Sequence, residues 1–177
     1  MFIGLSLGVF GVGANSQHTE YQSQQDYIQE RLQHLPKAKV YWLNAEDKAT
    51  IESILAHPYA KLRVRYWQAG QQSIWILEEI GKEMPITVGI HVNQSAIANI
   101  RVLTYRESRG DEVRHGFFTD QFYQARLSAD NQLDKHIDGI TGATLSVRAL
   151  TKLARIALYL SEQLPADQAD NEKNHLP

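Results

Sequence analysis

Residues 62–105 decide the fold: LRVRYWQAGQQSIWILEEIGKEMPITVGIHVNQSAIANIRVLTY. Leu62 to Trp67 alternates polar and apolar residues with period two, the mark of a half-buried strand. Ala69 to Gln72 reads as a turn. Ser73 to Glu78 is a partner strand, so the two predict a hairpin. Gly81 to Met84 is a second turn. Pro85 to Val92 is a third strand, with Pro85 at its first position, where no ladder donor is needed. Asn93-Gln-Ser turns the chain again, and Ala98 to Tyr105 is a fourth strand.

Outside this stretch the pattern becomes helical. Downstream lie a charged loop, Arg106 to Arg114, a short helix, Phe117 to Ala125, and a polar loop, Ser128 to His136. The last element is an amphipathic helix. Leu145, Ala149, Leu153, Ile156 and Leu160 form one stripe, with Arg148, Lys152, Arg155 and Glu162 opposite. Upstream, Lys39 to Leu43 is a short strand. Asn44 is an N-cap with Asp47 three residues later. The helix Ala45 to His57 follows, with Ile51, Ile54 and Leu55 on one face, and Pro58 stops it. Strands in sequence flanked by helices predict an α+β fold with a mostly antiparallel sheet.

The two ends read differently. Residues 1–14, MFIGLSLGVFGVGA, are apolar and uncharged, and Val12-Gly13-Ala14 resembles a signal-peptidase site. They predict a cleaved secretory signal, or an anchor if the chain extends upstream. Residues 15–37 are polar and Gln-rich, with Tyr21, Tyr27, Ile28 and Leu32 near helical spacing, and predict a helical or flexible segment of low stability ended by Pro36. Residues 38–164 form the single folded domain. Residues 165–177 are a polar tail, expected to be disordered.

Composition narrows the function. The 177 residues carry a net charge of -2 and no basic stripe, which argues against a nucleic-acid partner. The absence of cysteine removes disulfides, thiolate metal sites, iron–sulfur ligation and a thiol nucleophile. The seven histidines are scattered without metal-ligand spacing. If the protein moves electrons, its carrier is organic.

The chemistry concentrates in Asp138-Gly-Ile-Thr141-Gly142-Ala143-Thr144-Leu-Ser146. Thr144 stands at the start of the amphipathic helix, where amide donors lack internal partners and the helix dipole is positive. A phosphate is stabilised at such a place. Gly142 can take backbone angles closed to other residues and admits a bulky ligand, and Ala143 keeps the approach small. The plainer alternative is a threonine that only caps its helix.

This segment resembles the FMN-binding domain family, which includes the flavin-carrying subunits of sodium-pumping NADH:quinone reductase and of its ferredoxin-linked relative. The family pattern Asp-x-x-Ser/Thr-Gly-Ala-Thr is met at Asp138, Thr141, Gly142, Ala143 and Thr144. The resemblance implies FMN bonded through its phosphate to Thr144, attached from FAD by a flavin transferase with Mg²⁺ assistance, in which Asp138 helps bind the metal-bound phosphates. Upstream, Gly81-Lys-Glu-Met-Pro85-Ile86 resembles the family's Gly-x-x-x-Pro-Ile, and Glu107 to Gly110 resembles its Glu-containing loop. Phe117, Phe118, Gln121 and Phe122 follow in the family's order. The sequence departs from the sodium-pump branch at Ser108-Arg109, where that branch has Thr-Pro.

The expected cofactor-contacting residues are thus Thr144, Asp138, Thr141, Gly142, Ala143, Ser146, Glu107, Arg109, Gly110 and Phe122. Glu107 and Arg109 are candidates to bond the isoalloxazine or ribityl chain. Phe118 and Phe122 are candidates to cover a ring, and His115 to tune it. With residues 1–14 read as a secretory signal, the expected protein is an exported carrier, periplasmic or on the outer face of the inner membrane. It would pass electrons between a membrane-bound or periplasmic donor and an acceptor protein. The alternatives are a small flavin-dependent reductase acting directly on a substrate and a binding module without flavin. There is no nicotinamide fingerprint of the G-x-G-x-x-G type to favour the reductase.

Overall fold

The computed structural model describes residues 19–165, so the apolar leader and the polar tail lie outside the described residues. The strands are β1 (Thr19–Glu20), β2 (Lys39–Trp42), β3 (Arg63–Ala69), β4 (Gln72–Ile80), β5 (Pro85–Asn93) and β6 (Ala96–Tyr105). The helices are α1 (Gln24–Leu32), α2 (Ala45–Leu55), the short α3 (Gly116–Thr119) and α4 (Thr144–Glu162). All six strands join one antiparallel sheet in the order β1-β6-β5-β4-β3-β2. The α+β architecture expected from the alternating stretch is the one observed.

The turns explain the meander. Gly70 (φ 57°) closes β3–β4, and Gln94 and Ser95 (φ 50° and 58°) close β5–β6 with two left-handed residues, the geometry that matches strand twist in a tight hairpin. β5 lies mid-sheet and is buried on both faces, from Ile86 to Val92. One face carries the main core. There Trp75, Leu77, Ile86, Val88 and Ile90 meet Leu150, Leu153, Ala154, Ala157 and Leu158 of α4. Each large side chain removed from water there contributes about 1.5–3 kcal/mol.

The other face has its own small core. Tyr27, Ile28 and Leu32 of α1 pack on Trp67, Ile74 and Leu103. Gly89 makes this possible, since a Cβ there would sit 2.5 Å from the Tyr27 ring. The Tyr27 hydroxyl donates to Asn99 Oδ1 at 3.0 Å. The Gln-rich segment therefore contains a helix seated on the sheet, held by Tyr27, Ile28 and Leu32, three of the residues whose spacing reads as helical in the sequence.

α2 starts as expected. Asn44 Oδ1 accepts from the Asp47 amide, and Asp47 Oδ2 accepts from the Asn44 amide, both at 2.9 Å. Buried Asp47 also accepts from Tyr41 and Tyr159, tying β2, α2 and α4 together. The helix ends at Leu55 rather than His57, because Ala56 turns left-handed (φ 60°). The helix expected over Phe117–Ala125 is instead α3 followed by a 3₁₀ turn, Asp120–Phe122. The apolar stripe of α4 is also wider and shifted. Val147, Leu150, Ala154, Ala157 and Leu158 join it, while Leu145 is 42% exposed.

Candidate functional site

α4 begins on a polar loop and points its first turn at a cleft of about 500 Å³. The walls are Gly142 to Ser146 on one side and Glu107 to Arg109 on the other, with Lys82 from the β4–β5 turn. A cleft of this size is large enough for a small ligand.

The first turn of α4 is uncapped. Ala143 occupies the N-cap position and has no side chain to offer. Its own amide bonds Ile140 O at 3.0 Å, and its carbonyl takes the first helical bond, from Val147. The amides of Thr144, Leu145 and Ser146 therefore have no backbone acceptor, as first-turn donors do not. Thr144 is the first helical residue and not the cap. It is exposed, and its hydroxyl has no hydrogen-bond partner among the described residues. The capping alternative is not realised. Gly142 is left-handed (φ 87°) with nothing within 4 Å of a Cβ built there, so it presents open backbone beside Thr144.

The opposite wall is fixed by two struts. Glu107 Oε1 accepts from the amides of Lys82, Glu83 and Met84 at 2.6, 2.7 and 2.9 Å. Burial opposes the charge of Glu107, but the three amides outweigh it and hold its carboxyl below the ordinary value. The side chain is thereby committed to the β4–β5 turn through one oxygen, which limits it as a ring contact. The second strut is Tyr105, whose hydroxyl donates to Arg109 O at 2.6 Å. That uses its one proton, so Ser146 Oγ donates to Tyr105, at 2.9 Å. Burial raises the Tyr105 phenol, which keeps that proton in place.

Gly110 sits between these groups. It is left-handed (φ 89°), and a Cβ would fall 2.8 Å from the Tyr105 hydroxyl and 3.0 Å from Ser146 Oγ. Its place is behind the wall and not in the cleft.

Of the residues singled out in the sequence, Glu107, Arg109, Gly142, Ala143, Thr144 and Ser146 line one cleft. Asp138 and Thr141 lie on the exposed loop leading to it. The Asp138 amide is held by Gln121 Oε1 at 2.7 Å, while its carboxylate stays in solvent, 3.5 Å from His136. Phe122 is corrected: it is fully buried in the main core, edge-on to Phe118, and cannot cover a ring. His115 stacks near Phe117 and lines a different hollow. Sequence reading missed Lys82, Ser108 and Leu145 as cleft residues and Tyr105 as a strut. Lys82 and Ser108 lie inside the quoted motifs, so their adjacency was the available signal.

Residues 81–159 match the sequence model of one family, the FMN-binding domain. That segment is similar to FMN-binding domains. Comparison with curated proteins and with solved structures gives no match. The matched FMN-binding segment starts at the turn that Glu107 holds and ends in α4, so it spans both walls of the cleft. The residues present fit the cofactor class. Three first-turn amides are open to an anion, two cations (Lys82 and Arg109) line the walls, and open backbone at Gly142 gives room.

Proposed function

We propose that this protein is an electron carrier whose FMN is joined through its phosphate to the Thr144 hydroxyl. One observation carries the reading. An exposed hydroxyl with no hydrogen-bond partner among the described residues stands at the open end of α4, on the wall of the cleft. Standing one residue past the cap position, which Ala143 fills, the Thr144 oxygen is not used in closing the helix end.

In the attachment step, Thr144 Oγ1 forms an ester bond to the phosphorus of the FMN half of FAD. The pyrophosphate linkage breaks, AMP leaves, and the hydroxyl proton passes to a base of the flavin transferase. The amides of residues 144–146 would hold the esterified phosphate, and Arg109 and Lys82 would offset its charge. Asp138, exposed on the loop before α4, would help bind the Mg²⁺ that accompanies the phosphates during attachment. When bound, FMN supplies one- and two-electron chemistry, and the protein orients it.

The carrier works outside the cytoplasm. The apolar residues 1–14 and the small residues before Asn15 support export. A cofactor held by a covalent bond suits a compartment with no free flavin to replace it. A membrane-associated donor and a redox partner protein complete the path.

The test is co-production with a flavin transferase, then a denaturing gel under ultraviolet light and intact mass. The expected result is a fluorescent band that disappears in Thr144→Ala. A band that persists in the alanine variant overturns the reading, as does unmodified mass in the parent protein.

A further inference from the structure

The strand registers collect an unusual surface at one end of the sheet. The β3–β4 hairpin turns at Gly70–Gln71, so the start of β3 and the end of β4 lie together at its open end. β2 finishes there with Trp42 opposite Arg63. The β4–β5 turn belongs to the same end, and through Glu107 so does the cleft.

Large apolar side chains stand in solvent at this end. Trp42 is 64% exposed, Leu62 62%, Ile80 57% and Met84 41%. Exposed Glu46 opens α2 just beyond Trp42, while the carboxylates of β4, of the β4–β5 turn and of Glu107 are engaged. Glu78 pairs with Arg106, Glu79 with His57 and Lys152, and Glu83 with Lys82, while Glu107 takes its three amides. Among the described residues, Lys61, Arg63 and Arg65 have no carboxylate within ion-pairing distance, and the Arg63 guanidinium lies 5.4 Å from the Trp42 ring centroid. A chain of net charge -2 thus presents a cationic end.

We infer that this end, centred on Trp42 and Arg63, docks on an anionic lipid surface. Separate apolar side chains divided by cations suit the interfacial layer of a bilayer. Tryptophan settles at headgroup depth. Arginine and lysine lay their apolar stems along the surface and keep their charge at the phosphates. The attraction of a negative leaflet acts on each cation near it. The contact does not rest on flavin attachment, but it would bring the cleft beside the membrane, where a membrane-bound donor is reached.

The full-length protein is mixed with vesicles of phosphatidylcholine plus phosphatidylglycerol, and with phosphatidylcholine alone. Of the three tryptophans, Trp67 and Trp75 are buried, so the solvent-sensitive emission is that of Trp42. Its emission shifts to the blue with the anionic vesicles, salt reverses the shift, and phosphatidylcholine alone leaves it unchanged. Co-sedimentation follows the same order. Neutralising each of Arg63 and Arg65, as Arg63→Gln and Arg65→Gln, lowers the partition coefficient about fivefold, and Trp42→Ala weakens it further. These side chains are exposed, so the variants keep their fold, checked by circular dichroism.

Sedimentation with no change in Trp42 emission overturns the assignment, because residues 1–14 would then be the contact. Emission that never responds to anionic vesicles overturns it as well. If the fluorescent flavin band forms normally in either case, the docking surface has failed and the flavin reading stands.

Discussion

The hydroxyl of Tyr105 and Oγ of Ser146 lie 2.9 Å apart, joining the last residue of β6 to the first turn of α4. The same phenol donates to Arg109 O, so one oxygen links the two walls of the cleft. Tyr105→Phe keeps the ring and leaves Arg109 O and Ser146 Oγ without their partner. A cost of about 1–3 kcal/mol is expected, the penalty for stranding buried polar groups, read from urea unfolding. Flavin attachment should also slow, because Arg109 and Thr144 lose their common reference. Attachment at the parental rate in a folded Tyr105→Phe protein would show that the strut serves stability alone.

At the acceptor position, chemistry and size separate cleanly. Thr144→Ser retains the hydroxyl and should still yield a fluorescent band, whereas Thr144→Val keeps the shape and should yield none. Both changes are at an exposed first-turn site, so unfolding free energies should move by no more than about 0.5 kcal/mol.

Glu107 makes acid stability a diagnostic. Its folded carboxyl titrates below the ordinary value of 4.5. Its contribution is therefore complete above that value and is lost as pH falls through the lower folded value. Glu107→Gln can still accept from the three amides but carries no charge. The stability gap between parent and variant should be open at neutral pH and close in acid. A gap that stays constant down through the carboxylate range would mean that charge plays no part in holding the turn.

His57 predicts the opposite sign. Its Nδ1 faces Pro58 O and its Nε2 faces both oxygens of Glu79, so both nitrogens meet acceptors and the cation is favoured. The Pro58 carbonyl and then Glu79 raise its pKa above 6.5. The added stability is full below 6.5 and disappears as pH rises through the folded value. His57 is 44% exposed, so solvent screening keeps the effect small. Melting temperature should drift down across that window in the parent and stay flat in His57→Gln.

Gly89→Ala tests the second core. The added methyl would meet the Tyr27 ring at 2.5 Å, and α1 must move to admit it. Overpacking of this kind costs about 1–3 kcal/mol. Hydrogen exchange should report the loss first in Gln24–Leu32. If α1 stays as protected as before, the ring accommodates the methyl without displacement.

Much of this arrangement was legible in the sequence, because its causes are local. Period-two alternation marked the first of the four strands and the turns between them bounded the rest, Asn44 marked the start of α2, and the Asp138–Thr144 motif marked the end of the loop before α4. What escaped depends on distant contacts. Tyr27 looks like one apolar residue in a Gln-rich run, and only Gly89 across the sheet explains its burial. Leu145 fits the helical stripe by spacing, yet it belongs to the first turn, which faces the cleft instead of the sheet. Phe122 has the order of a ring-covering residue, but the 3₁₀ turn rotates it into the core. The Tyr105–Ser146 bond spans 41 positions, and no periodicity could reveal it.

The mid-sheet position of β5 has a practical consequence for anyone wishing to transplant this module. A fragment cut to residues 81–159 would keep both lips of the cleft and discard β4, along with Tyr27 above Gly89. Its central strand would become a raw edge, open to pairing with neighbouring copies. Such a minimal graft is a recipe for aggregation, and a portable version has to begin upstream, at the Gln-rich helix.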